Sequence, residues 1–420
     1  MFTTWGALTG LAIAIFLIGR KATPAYALVL GALAGGLLGG GGLTETVSAM
    51  ISGTQSMMPS VLRILTSGIL AGALVKTGSA ERIADSIVRM LGTRFALVAI
   101  ALAAMIVTAV GVFVDIAVIT VAPVALAVGK RAGLPVSSLL LAMVGGGKAG
   151  NVISPNPNTI AAADAFKVDL TALMMKNIVP ALCALAVTVL LSTWLARKGR
   201  KDAAVCSAVN GKDETAKDLP NIVSAVAGPL VVIALLALRP VCGIAVDPLV
   251  ALPAGGLVSI IICGHWRNTA EYCEFGLSKV IGVSILLIGT GAVAGIVKNS
   301  GLNADMISVL NACHLPAFAL APLSSVLLSG ATASTTAGVT IASQTFSGAL
   351  AQAGIPALSA AAMLHAGGTI FDALPHGSFF HATAGAVGMS VKDRLKLFPY
   401  GTLVGTTTTV VSVIVYLLGF

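Results

Sequence analysis

The stretch Ser154-Pro155-Asn156-Pro157-Asn158-Thr159 interrupts a long apolar run in a 420-residue chain. Each proline removes a backbone N–H and disfavours helix at the residue before it. "SPNPN" is therefore expected to be extended, between a half-helix ending near Gly150 and another starting near Asn158. Asn158 or Thr159 can cap the second half-helix, whose N-terminus carries partial positive charge and free N–H groups. Ser154, Asn156, Asn158 and Thr159 add donors without fixed charge, and Lys148 and Asn151 lie just upstream. This is anion-binding chemistry, so Ser154, Asn156, Asn158 and Thr159 are candidates for substrate binding, with Lys148 and Asn151 as accessory residues.

A second constellation, "HAGGTIFDALPHGSFFHATAG" (365–385), has the same plan: a Gly-Gly pair, Pro375, then His376, Gly377 and Ser378. His376 and Ser378 are candidate substrate ligands. Asp372, His376 and His381 can gain or lose a proton and are candidates for proton coupling. Two further polar interruptions complete the set. "GATASTTAG" (330–338) carries Thr332, Ser334, Thr335 and Thr336, further candidates for substrate binding, and "GVFVDIAV" (111–118) carries Asp115. An ionisable residue at membrane depth is a functional candidate by default, so Asp115 joins the coupling set, with Lys148 as its expected partner.

The elements that hold these residues follow from composition. The chain is 57% hydrophobic and 10% charged, with a mean hydropathy of +0.98. A soluble domain carries about 25% charged residues, so lipid must solvate much of this one. Apolar runs of about 20 residues fit helices across ~30 Å of hydrocarbon, and the short alternating segments of a membrane β-barrel are absent. The net charge of +9 follows from basic cytoplasmic loops and indicates no nucleic-acid partner. The six cysteines show no CxxC pair and no metal-ligand spacing, so they read as small packing residues and no metal or cofactor is expected. The N-terminal apolar run precedes its basic pair Arg20-Lys21, the reverse of a signal peptide, and reads as a first span.

Spans are expected at about 5–19, 24–42, 57–77, 136–165, 175–196, 220–238, 247–264, 280–299, 357–387 and 398–419. The interrupted stretches at about 95–129 and 315–352 read as re-entrant hairpins, and the polar stretch 197–219 as a cytoplasmic loop. "GILAGALVKTG" (68–78) and "GAVAGIVKNSG" (291–301) match at an offset of 223, and "AGLP" (132–135) and "AGIP" (353–356) at 221. Gly146-Gly147 and Gly367-Gly368 keep that offset of 221. With hairpins returning to the side they left, most Lys and Arg fall on one side, as positive-inside bias requires, with Lys167, Lys176 and Arg239 as exceptions. The expected fold class is an all-α polytopic membrane protein. Two inverted repeats, 1–196 and 220–420, each hold five spans plus one re-entrant hairpin, with paired discontinuous helices at the midplane. Both termini are expected outside.

"GGGKAGNVISPNPNTIAAA" and "HGSFFHATAGAVGMSVKDRLKLF" resemble the gluconate permease (GntP-type) family of bacterial secondary transporters, part of a larger ion-transporter superfamily. The resemblance covers most of the chain. It implies proton-coupled uptake of a small hydroxycarboxylate, typically gluconate, with D-serine or glycerate in some members, across the bacterial inner membrane. It also implies paired hairpins and broken helices around the substrate. The family pattern has a His-Pro-rich segment where this chain has "SPNPNT", and Asn-Asp-Ser where it has "PHGS" (375–378).

The expected function is thus a proton-coupled symporter for a small organic anion, working by alternating access. Sodium coupling to a carboxylate, or cation/proton antiport through Asp115 and Asp372, are the alternatives. No GxSxG or HExxH motif is present, and no enzyme is expected. Besides lipid, the expected partner is the organic anion, and an apolar outer face also fits a homodimer.

Overall fold

The computed structural model describes residues 1–20, 22–199, 219–302, 304–305, 308 and 316–419. Nearly all of the loop expected at 197–219, and most of 303–315, lies outside the described residues. The first half contains α1 (Thr4–Gly19), α2 (Pro24–Leu38), α3 (Leu43–Gln55), α4 (Met58–Lys76), α5 (Ser79–Leu91), α6 (Ala96–Ala109) and α7 (Val114–Ala132). It continues with α8 (Val136–Asn151), α9 (Pro157–Phe166), α10 (Leu170–Lys176) and α11 (Ile178–Gly199). The second half contains α12 (Ile222–Cys242), α13 (Pro248–Ile262), α14 (Thr269–Lys298), α15 (Leu320–Thr332) and α16 (Thr335–Gln352). It ends with α17 (Ala357–Gly367), α18 (Ser378–Ala386) and α19 (Val391–Leu417). Among the described residues no β-strand forms, so the all-helical class stands.

A helix occupies every expected span, and both hairpins and both broken helices are interrupted where the polar motifs fall. Among the described residues four helices, α4, α11, α14 and α19, are long and apolar enough to cross a membrane alone. Most of the other apolar helices are shorter, at 10–17 residues; at 1.5 Å per residue, even 17 residues cover only about 25 Å. Three helices were not expected. α3 fills the stretch read as an outer loop, α10 is a short turn of helix, and α5 is strongly amphipathic, with Ile83, Ala84 and Val88 buried. α5 meets the 93–109 segment at 105°, the bend made by Gly92 at φ 68°.

The helices sort into two packing groups. α1 to α4 pack with α13 and α14, α6 to α9, α11 and α15 to α19 pack with one another, and the two groups meet where α14 lies on α16, α4 on α9 and α1 on α15. α5 touches α4 and α12 as well as α6 and α7. Helix starts recur between the two halves of the chain. Val114, Val136, Pro157 and Leu170 in the first half match Thr335, Ala357, Ser378 and Val391, 221 residues later in each case.

Close crossings hold the first group together. A Cβ on Gly276 would lie 1.9 Å from the Gly68 carbonyl oxygen, whereas one on Gly282, two turns along the same helix, meets nothing within 4 Å. Backbones this close gain dispersion contacts that lipid cannot replace, which is how small residues drive helix association in membranes. Gly276→Val should therefore sharply lower the yield of folded protein on size-exclusion chromatography in detergent. Gly282→Val, with the same helix-propensity gain over glycine of under ~1 kcal/mol, should leave that yield near wild type.

Candidate functional site

The first broken helix closes on itself. Asn156 is the N-cap of α9, and its Oδ1 accepts from the N–H groups of Asn158 at 2.9 Å and Thr159 at 3.2 Å. Its Nδ2 donates to the Asn151 carbonyl at 2.9 Å and to Asn151 Oδ1 at 2.7 Å. Asn158 Nδ2 donates to the same Oδ1 at 3.0 Å. Ser154 Oγ donates to the Thr108 carbonyl in the neighbouring hairpin at 2.7 Å, and Thr159 Oγ1 to the Ser154 carbonyl at 2.6 Å. Unwound backbone needs such partners at membrane depth, and here three amides and two hydroxyls provide them.

The second broken helix is held by charge. Lys148, on α8, places Nζ 2.6 Å from Asp372 Oδ1, with the two side chains 1% and 6% exposed. Lys148 also donates to the carbonyls of Thr369 at 2.7 Å and Gly401 at 3.2 Å. Thr335 Oγ1, at the second hairpin tip, donates to Asp372 Oδ2 at 2.8 Å. This corrects the pairing expected from sequence: the partner of Lys148 is Asp372, and Asp115 forms no salt bridge among the described residues. Breaking a buried pair from one side costs about 3–5 kcal/mol, because it strands the other charge.

The four chain breaks converge on one cavity of about 250 Å³. Of the residues singled out in the sequence, Asp115, Asn151, Asn158, Ser334, Thr335, Thr336, Asp372 and Ser378 line it. Asp115 sits in the first turn of α7, and Ser334 caps α16 by accepting from the Ala337 N–H at 3.3 Å. The tip before it turns at Ala333, whose φ of 47° is uncommon for a residue with a side chain. Gly377 fits against that tip only because it lacks a side chain; a Cβ there would lie 2.4 Å from the Ala333 carbonyl oxygen.

Other candidates lie elsewhere. Ser154, Asn156 and Thr159 are buried in the network around α9, and Thr332 Oγ1 donates back to the Leu328 carbonyl at 2.8 Å. Lys148 stands behind Asp372, off the cavity lining. His376 and His381 are exposed and off the lining, His381 Nε2 donating to the Pro375 carbonyl at 2.7 Å. Sequence reasoning missed Lys279, Phe113 and Phe379, which do line the cavity. It also missed Arg63, which bridges Asp164 on α9 and, at 2.6 Å, Asp247 at the N-cap of α13. That bridge joins the two packing groups beside a separate cavity of about 180 Å³.

With this geometry in view, comparison with known proteins becomes specific. Residues 3–419 match the family model described as GntP family permease. The chain belongs to the GntP permease family. This GntP permease is 52% identical over 415 residues to an uncharacterized transporter of Haemophilus influenzae, covering 98% of this chain and 97% of the relative. It is 22% identical over 360 residues, 80% of each chain, to a protein of Zymomonas mobilis named gluconate permease. Its fold matches the YdaH transporter of Alcanivorax borkumensis with a TM-score of 0.66 at 19% identity, covering 90% of each chain. The GntP permease is thus a multi-pass membrane transporter and not an enzyme.

The buried pair yields a stability ordering. Lys148→Met should unfold at a lower temperature in detergent than the double variant Lys148→Met/Asp372→Leu. The single change removes the 2.6 Å partner of Asp372 and leaves its buried carboxylate only the more distant Arg394, at a cost of up to about 3–5 kcal/mol, which the second change relieves. The reverse order would show that Asp372 is held in place by groups other than Lys148, such as Thr335.

Proposed function

We propose that this permease is a proton-coupled secondary transporter that imports a small hydroxycarboxylate, gluconate foremost, across the bacterial inner membrane. The observation that carries the reading is the single cavity that draws polar side chains from both hairpin tips and both broken helices. Amides, hydroxyls and a helix N-terminus suit a hydroxylated anion better than a bare cation. The name of the Zymomonas mobilis relative supports gluconate as the first substrate to try.

The proton is assigned to Asp115. Asp372 is engaged by Lys148 and Thr335, and the two histidines lie off the cavity. Asp115 faces the cavity without a salt bridge among the described residues. The recurrence of helix starts at a spacing of 221 residues supports an internal repeat; inversion of the two repeats, with both termini outside, belongs to the proposal and follows from the positive-inside bias. Alternating access would then move the hairpin-bearing group against the other, breaking the Arg63–Asp164 contact on the way.

Proteoliposomes test this. An inward proton gradient should drive accumulation of radiolabelled gluconate, glycerate or D-serine; sodium- or potassium-driven pH changes without any uptake would instead indicate antiport. Asp115→Asn should lower gradient-driven accumulation at least about tenfold, equivalent to ~1.4 kcal/mol, while substrate exchange without a gradient persists. Full gradient-driven accumulation by that variant would remove Asp115 from the coupling step.

A further inference from the structure

We infer that the two broken helices divide the work of recognition: the N-terminus of α18 holds the substrate carboxylate, with Arg394 supplying charge from behind it, and Asn158 accepts a hydroxyl at the other end. The inference rests on the transport of a hydroxycarboxylate proposed above.

The two half-helix N-termini are placed alike and finished differently. That of α9 is filled by its own Asn156 side chain. That of α18, a nine-residue helix, begins after Gly377, and no side chain caps it. Ser378 and Phe379, its first two residues, line the cavity. Free N–H groups at a helix start bind anions, and only this one of the pair is free to do so.

Arg394 is the second observation. It is 2% exposed, and its Nε and Nη2 have no hydrogen-bond partner among the described residues. Its guanidinium carbon lies 5.3 Å from the ring of Phe380, the third residue of α18. It sits in the first turn of α19, where the helix dipole disfavours a cation. The anion within its electrostatic reach is Asp372, which Lys148 already neutralises at 2.6 Å. The buried side chains here are therefore two cations, Lys148 and Arg394, against one carboxylate, Asp372, while Asp115 and Lys279 add one charge of each sign to the cavity lining. A carboxylate ligand at Ser378 would balance that excess.

Asn158 is the third. It is 4% exposed and lines the cavity, and its Nδ2 is taken by Asn151. Its Oδ1 has no partner among the described residues. An acceptor in that position pairs with a hydroxyl and repels a carboxylate. The ligand class is a polyhydroxy monocarboxylate, and a dicarboxylate of the same length is rejected.

The test is thermal unfolding of the full chain in detergent, titrated with gluconate, its neutral amide gluconamide, and the dicarboxylate glucarate. Gluconate alone should raise the midpoint strongly. Ser378→Pro removes one of the free N–H groups at a position where proline suits a helix start, and Gly377 at φ −94° and ψ 150° has the backbone a residue before proline needs. That variant and Arg394→Gln should each weaken gluconate about tenfold relative to gluconamide, with Arg394→Lys intermediate. Unchanged gluconate-to-gluconamide ratios in a folded Ser378→Pro or Arg394→Gln protein would overturn the inference and leave the transport reading intact. Equal binding of gluconate and gluconamide, or of glucarate, by the wild-type chain would also overturn it. Failure of the wild type to bind any of the three would overturn the proposed function along with it.

Discussion

A peptide N–H or C=O left unpaired in hydrocarbon costs several kcal/mol, so a membrane helix can be broken only where something else satisfies the freed groups. This permease breaks its helices at four places that meet, and each break needs a local answer. At Ser154–Asn156 the answer is an amide network built from Asn151, Asn156 and Asn158. At 368–377 it is an ammonium, Lys148, reaching from α8 to the Thr369 carbonyl and to Asp372. The packing around the site serves the same constraint. Gly146 and Gly367, where an added Cβ would lie 2.0 Å from the Ala101 and 2.5 Å from the Pro322 carbonyl oxygen, let α8 and α17 approach the hairpins closely enough to close the cavity.

Much of this was legible in the sequence, because chain breaks at membrane depth need residue types that are rare there. Pro155, Pro157, Pro375 and the glycines around them mark the interruptions, and Asp115, Asp372, Asn158 and Ser378 stand out against an apolar background. Eight of the residues chosen on that ground line one cavity. What the sequence could not supply was the choice among distant partners. Lys148 has Asp115 and Asp372 as equally plausible mates until the chain is folded, and the pairing runs between α8 and a segment more than half the chain away.

The omissions share a cause. Lys279 belongs to a 30-residue helix whose first third reads as an interfacial loop because it carries charges. Arg394 was counted among cytoplasmic basic residues, since "KDRLK" looks like a solvated turn, yet α19 begins at Val391 and buries it. α5 was passed over because a 13-residue amphipathic helix lacks the apolar length that marks a span. In each case local composition described the average neighbourhood while the side chain's own direction decided its fate.

The contrast between Asn156 and Gly377 at the two N-caps carries a thermodynamic consequence. A helix start sealed by its own side chain gains nothing from a ligand, so the first broken helix holds its shape whether or not the cavity is filled. One left open gains order when an anion arrives, and linkage requires that this gain reappear as added resistance to local opening. Occupancy would thus be felt unevenly along the chain, stiffening the segment from Phe371 to Ala386 most and the already sealed segment around Asn158 less.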